Sequence, residues 1–395
     1  MFISALDIFA YINNNNDYII RKTAMRALFR KIRDMRFQHE PLITVIIHRD
    51  RILHNLREFQ KSVPAVAPVL KANAYGHGLV QVAQILESGH LPFFCVDSYV
   101  EAMILRNEGI KTPLLIIGYT PLKNIERSRL KNVAYGIMSM EELQRLARDC
   151  RRPTSIHLKV DTGMHRQGIL LEELSEALDT LERNEKIMLE GVYSHLADAD
   201  NEKSTLTEKQ IGLWNAAARE ARDRFQSVRW FHLSNTAGSK YAKNIDANVM
   251  RLGLGLYGIG ANNLLPALEM KTRLTSVRKI TVGESVGYNA TFTAKNEMTV
   301  ATIPVGYAEG LDRRLSNKGS ATVKGVNCPF VGRVNMNITS IDVSRVPNPK
   351  LDDEVLVISS ERNAPNSIEN MAKTCDTIPY ELLIRIPAQI RRYEE

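Results

Sequence analysis

The sequence predicts an α/β chain built from a (β/α)8 TIM-type barrel over residues 41–272 and a mainly β domain over 273–395, and three observations carry this. Short apolar runs recur at 65–70, 93–97, 113–118, 133–138, 155–161, 188–194, 229–234 and 248–252, with helix-like or loop stretches between each pair, which is eight strand-and-helix units. Beyond about Lys271 helical spacing nearly vanishes, and short strands bounded by turn residues take over. At 395 residues the chain also exceeds what one hydrophobic core usually serves.

In chain order, residues 1–40 stand apart as an extension. A four-Asn run at Asn13–Asn16 precedes Met25, Leu28, Phe29, Ile32 and Met35, spaced for one helical face, while Arg26, Arg30, Lys31 and Arg33 take the others. That segment reads either as a helix packed on the protein surface or as a basic amphipathic helix lying on an anionic membrane or partner; a true start at Met25 or Met35 is a third reading. Ile43–Ile47 then reads as a strand and 49–61 as a helix leading into the eight units. The β domain is expected to use strands at 276–282, 298–303, 321–323, 330–334, 338–343 and 354–358.

Composition narrows the function classes. With 44% hydrophobic and 24% charged residues the chain reads as an ordinary globular protein, and no apolar run is long enough to span a bilayer. The net charge of +8 would suit an anionic ligand, but Lys and Arg are spread along the chain without a nucleic-acid motif, so nucleic acid is not the expected partner. Cys95, Cys150, Cys328 and Cys375 lie far apart with no Cys-x-x-Cys pair, as reduced core thiols do, and no secretory signal is recognisable, so a cytoplasmic setting is expected. No metal site is expected.

The stretch Val69-Leu70-Lys71-Ala72-Asn73-Ala74-Tyr75-Gly76-His77-Gly78 carries the chemistry. Lys71 closes an apolar strand without a neighbouring acid, which fits either a surface lysine at a strand end or a buried amine with a lowered pKa of the kind Schiff-base chemistry needs. Tyr75, four residues on, has a hydroxyl able to reach a phosphate, and the glycines after it permit close backbone approach. Arg166, His195, Asn235 with Thr236, and Arg251 all fall at or just beyond strand ends, where barrels build their sites. Asn235-Thr236 and Arg251-Leu252-Gly253-Leu254-Gly255 follow strands seven and eight, the place where barrels commonly bind phosphate.

These motifs closely resemble the pyridoxal-phosphate site of alanine racemases, and the resemblance runs in that family's order from about residue 43 to the C-terminus. It implies that Lys71 holds pyridoxal 5′-phosphate, and that Tyr75, Thr236, the backbone of Gly253 and Leu254, and Tyr380 hold the phosphate. Arg251, kept in place by His195, would face the pyridine nitrogen; always charged, it can only donate and leaves that nitrogen unprotonated. Arg166 would face the cofactor's phenolic oxygen and the substrate carboxylate, oriented by Lys159 if that lysine is carbamylated. Tyr288 would be the second base, reaching the site from the other subunit of a homodimer, with Tyr307 and Met336 lining the substrate entrance. Asn337 departs from the family, which usually has a carboxylate there, and Asn289 stands where glycine is common.

The activity implied is interconversion of L- and D-alanine to supply cell-wall peptidoglycan. Alternatives are a racemase of broader specificity or a non-catalytic cofactor-carrying barrel. Barrel-plus-β decarboxylases pair the pyridine nitrogen with an acid, and Arg251 argues against them.

Overall fold

The computed structural model describes residues 40–395; the helix expected before residue 40 lies outside them. Strand β1 (Thr44–Ile47) leads into α1 (Arg49–Gln60). The barrel strands are β2 (Val66–Pro68), β3 (Phe94–Val96), β4 (Leu114–Ile116), β5 (Val133–Ile137), β6 (Thr154–Lys159), β7 (Ile187–Tyr193), β8 (Trp230–His232) and β9 (Met250–Leu252). Strands β3 to β8 pair in parallel and in sequence, and β2 pairs with β9. Two seams close the ring: Leu70 N–H donates to Cys95 O at 2.8 Å, and Arg251 N–H donates to Ser234 O at 3.0 Å. Each strand is short and nearly all buried, which is why each reads as an apolar run rather than an alternation.

Helices follow the strands: α2 (Leu79–Leu86), α3 (Tyr99–Asn107), α4 (Leu122–Arg127), α5 (Met140–Asp149), α6 (Leu174–Glu182) and α7 (Thr205–Arg224). Their starts are set by side-chain caps. Ser98 and Glu101 form a capping box on α3, and Ser139 and Ser204 accept from Glu142 N–H and Thr207 N–H on α5 and α7. After β9 the chain makes only a short turn, and α1 covers it: Asn55 Nδ2 donates to Leu256 O (3.1 Å) and Leu265 O (2.8 Å), and its Oδ1 accepts from Leu265 N–H (2.8 Å).

The second part is mainly β. Strands β10 (Leu268–Arg273), β11 (Ser276–Ile280), β12 (Ser285–Val286), β13 (Phe292–Thr293), β14 (Met298–Ile303), β15 (Ser320–Val323), β16 (Val326–Pro329), β17 (Thr339–Asp342), β18 (Glu354–Ile358) and β19 (Arg392–Glu394) form a six-stranded sheet in the order β16-β15-β18-β10-β1-β19, a three-stranded sheet β11-β14-β17 and the hairpin β12-β13.

The structure differs from the sequence reading in three places. Strand β1, read with the barrel, lies in the β sheet, antiparallel to β10 and parallel to β19. The strand expected at 330–334 is β16 instead, joined to β15 by the two-residue turn Lys324-Gly325 with φ of 48° and 78°, the positive pair that a tight hairpin requires. And two helices that no apolar spacing revealed, α8 (Ile368–Thr374) and α9 (Pro379–Ile384), close the domain before β19. The four cysteines are buried and unpaired, and among the described residues no helix is long and apolar enough to cross a membrane.

Candidate active site

Strand β2 delivers Lys71 to the barrel mouth, where the backbone does something the sequence does not announce. Ala72, Asn73, Ala74 and Tyr75 run at φ of 52–56°, a left-handed turn of four non-glycine residues. Each such residue costs roughly 1–2 kcal/mol against its right-handed form, so tertiary contacts must hold the turn. Glu101 Oε1 accepts from Ala72 N–H (2.8 Å), Asn73 Oδ1 accepts from Leu79 N–H (2.9 Å), and Tyr257 donates to Val69 O (2.9 Å). Gly76 ends the turn at φ 82°, where a Cβ would stand 2.1 Å from Leu383 O. Lys71 is not the buried amine the strand-end reading allowed. Its side chain is 39% exposed and pairs with Asp97 across 3.9 Å, an acid 26 positions along the chain that local sequence does not associate with it.

Beside the turn lies a pocket suited to an anion. The rings of Tyr75 and Tyr380 are 5.6 Å apart, and burial raises the pKa of both, keeping the hydroxyls protonated as donors. Thr236 Oγ1 accepts from Gly255 N–H at 3.2 Å. A Cβ on Gly253 would come 3.0 Å from Tyr75 Oη, so glycine there lets backbone approach the tyrosine hydroxyl. Asn235 turns its Oδ1 to Gly238 N–H (2.8 Å) and shapes the loop.

Arg251 sits inside the barrel, buried, with no ion pair among the described residues. Its Nη1 donates to Nδ1 of His232 (2.7 Å) and to His232 O (2.8 Å); its Nη2 donates to Ser194 O (2.6 Å), Leu233 O (3.1 Å) and His195 Nδ1 (3.1 Å). Both imidazoles must be neutral to accept. Burial first, then the charge of Arg251, pushes His195 down to about 3 and His232 well below its ordinary value. His157 extends the chain of rings, Nδ1 to His232 Nε2 at 2.8 Å, and is pushed down to about 3 by burial. His195 was anticipated; His232 and His157 were not, because a histidine within an apolar strand reads locally as a satisfied core residue.

Beyond β6, Asp161 Oδ1 accepts from the N–H groups of Gly163 (2.9 Å), Met164 (2.9 Å) and His165 (3.1 Å), shaping the loop that ends at the exposed Arg166. Lys159 is buried near it and donates weakly to Gln167 Oε1 (3.4 Å); burial, then Arg166, lowers its pKa to about 8.

Lys71, Tyr75, Lys159, Arg166, His195, Asn235, Thr236, Arg251, Gly253, Leu254 and Tyr380 all line one cavity of about 990 Å³ at the barrel mouth. Tyr288, Tyr307 and Met336 do not: they lie in the β domain, all exposed, with Tyr288 at 72% on the tip between β12 and β13. Asn289 stands there at φ 60°, a left-handed position that Asn tolerates well. Asn337 donates from Nδ2 to Glu309 Oε1 at 2.7 Å.

These residues fit pyridoxal phosphate. An amine stands beside a cluster of hydroxyl and backbone donors, and a guanidinium held by neutral acceptors has an Nε that makes none of the hydrogen bonds described for it. Residues 47–261 match the alanine racemase N-terminal domain and residues 267–394 the alanine racemase C-terminal domain. The chain is 35% identical to the alanine racemase of Sorangium cellulosum (strain So ce56) over 86% of its own length and 95% of that protein's. It is 33% identical to alanine racemase 1 of Caldanaerobacter subterraneus subsp. tengcongensis over 91% and 96%. It superposes on the solved alanine racemase of Clostridium difficile 630 with a TM-score of 0.83 at 27% identity, covering 91% of this chain and 97% of that one. The Bacillus anthracis alanine racemase with bound L-Ala-P gives 0.81 at 28% identity, covering 91% and 96%. With both of its domains matched and its barrel mouth furnished for the same group, the chain belongs to the alanine racemase family, whose cofactor is pyridoxal 5′-phosphate.

Proposed function

We propose that the protein interconverts L- and D-alanine in the cytoplasm, supplying D-alanine for peptidoglycan, as a homodimer with shared active sites. The observation that carries this is the convergence of Lys71, Arg166, Arg251 and the anion pocket on one cavity, while Tyr288 lies outside it. Pyridoxal phosphate, when bound, withdraws electrons from the substrate Cα and so acidifies its proton. Lys71 Nζ would hold the cofactor covalently and, freed when substrate takes its place, would take or return the proton on one face of Cα. Arg166 would hold the substrate carboxylate by its guanidinium fork. Arg251, cationic and donating only, would leave the ring nitrogen unprotonated and moderate the electron withdrawal, which disfavours transamination.

Racemisation needs a second base on the opposite face, since one base alone returns the proton to the side it left. Tyr288 does not line its own chain's cavity and stands exposed on a hairpin tip, which supports its serving the site of a second copy. Tyr307 and Met336, exposed in the same domain, would line the entrance to that site. Lys159 near its lowered pKa of about 8 offers a neutral amine to carbon dioxide, and the carbamate would orient Arg166 without the repulsion of two cations. The test is to incubate purified protein with L-alanine, L-serine, L-lysine and L-arginine and follow the D-isomers, and to reduce the cofactor-loaded protein with borohydride and map the adduct. D-alanine as the dominant product with the adduct on Lys71 is expected. No racemisation of any of the four, or an adduct on another lysine, would overturn the reading.

A further inference from the structure

We propose that Arg392, on the last strand of the chain, is a positioning residue for Lys71: it clamps the left-handed turn on which Lys71 and Tyr75 stand. This rests on the racemase reading above and adds to it a control of the cofactor-bearing lysine by the C-terminal segment.

Arg392 is buried and makes no ion pair among the described residues; all its bonds go to backbone carbonyls. Nε and Nη2 both donate to Gly76 O (3.1 and 2.9 Å), Nη2 also to Ile386 O (3.0 Å), and Nη1 to Pro387 O (2.6 Å) and Ile390 O (2.5 Å). A buried cation is costly to leave unpaired, so the fork is held firmly by those carbonyls. Burial lowers its pKa to about 10, which leaves it charged at neutral pH.

The place of attachment distinguishes a clamp from a mere tie for the C-terminus. Gly76 is the residue that ends the left-handed run, and its own N–H bonds back to Ala72 O at 3.2 Å, so a pull on Gly76 O is transmitted to the residue after Lys71. Two further contacts from the same segment converge there. Leu383 O occupies the space a Gly76 Cβ would need, and the Tyr380 ring lies against that of Tyr75. A four-residue left-handed run is disfavoured at every residue, so it persists only while such contacts over-determine it. From three nitrogens the planar fork reaches Gly76 O, Ile386 O, Pro387 O and Ile390 O at once; a lysine ammonium at the same site would satisfy fewer of these carbonyls.

The test uses the R392K holoenzyme beside wild type. Amides of residues 72–78 are expected to exchange with solvent about tenfold faster, and the affinity of the apoprotein for pyridoxal phosphate to fall about tenfold, as for loss of charged hydrogen bonds. The strands β11, β14 and β17 should keep wild-type protection, and kcat should fall more than KM for alanine rises. Wild-type exchange and cofactor affinity in a folded R392K, or faster exchange spread evenly over the whole molecule, would overturn the proposal. Should R392K not fold, wild-type native-state hydrogen exchange decides. Segments 72–78 and 386–392 should open as one unit across a denaturant series, and separate openings would overturn it. Failure of wild type to form D-alanine would instead overturn the racemase reading, leaving the exchange and affinity arms to be judged by themselves.

Discussion

Arg251 donates from Nη1 to Nδ1 of His232 across 2.7 Å, and this one bond sets the protonation of a row of rings. With Nδ1 accepting, His232 carries its proton on Nε2, which donates to Nδ1 of His157 at 2.8 Å. Protonation at Nδ1 of His232 would turn an acceptor toward the guanidinium into a second donor.

The pH dependence of stability follows from that constraint. His195 and His157 are held at about 3 in the fold against an ordinary 6.5. The unfolded chain therefore binds protons first, so their contribution is full above about pH 6.5 and is lost progressively as pH falls toward about 3. Carboxylates lowered by partners, such as Glu269 at about 2, join only below their ordinary 4.5. The unfolding free energy should thus already fall between pH 6.5 and 4.5, by up to roughly 1.4 kcal/mol per pH unit for each histidine, and the denaturant midpoint with it. A flat profile over that window would show that the rings accept protons in the fold.

Tyr288 and Lys71 should complement each other across chains. Lys71→Ala and Tyr288→Phe proteins, each expected to lose activity by more than about 100-fold, are mixed and allowed to exchange subunits. A mixed dimer has one site with both lesions and one with neither, so partial activity should return. Demonstrated exchange with no recovery would exclude a shared site.

Lys159, lowered to about 8, should be open to carbon dioxide at neutral and mildly alkaline pH, because only the neutral amine reacts. Protein incubated with ¹³C-bicarbonate should show a carbamate carbonyl resonance by NMR that Lys159→Met lacks. Identical spectra for the two would leave Lys159 an unmodified amine.

Asn337 is paired with Glu309, so a carboxylate in its place would set two like charges about 3 Å apart. Asn337→Asp should destabilise by under about 1 kcal/mol, since the site is exposed. Glu309→Gln in the same protein should restore most of the loss, giving a positive coupling in a double-mutant cycle of melting data. Additive effects would mean that the pair has no influence.

The barrel was legible because a strand buried on both faces must be apolar throughout, and those runs mark β2 to β9 without reference to anything distant. Lys71, Arg166, His195 and Arg251 were legible as polar residues at or just beyond the ends of such runs. Strand β1 was recognised as a strand but not assigned its sheet, since period-two sequence carries no record of a partner such as Met270 more than 200 positions away.

What the sequence by itself determined is therefore the order of elements and the chemical inventory of the barrel mouth. The tertiary structure decided how that inventory is held. Ala72-Asn73-Ala74-Tyr75 has no local reason to turn left-handed; Glu101, Leu383 and Arg392 hold it so from distant parts of the chain. Likewise His232 and His157 become neutral acceptors only because the closed barrel buries them beside Arg251, and desolvation depends on what surrounds a group in space, not on its neighbours in sequence.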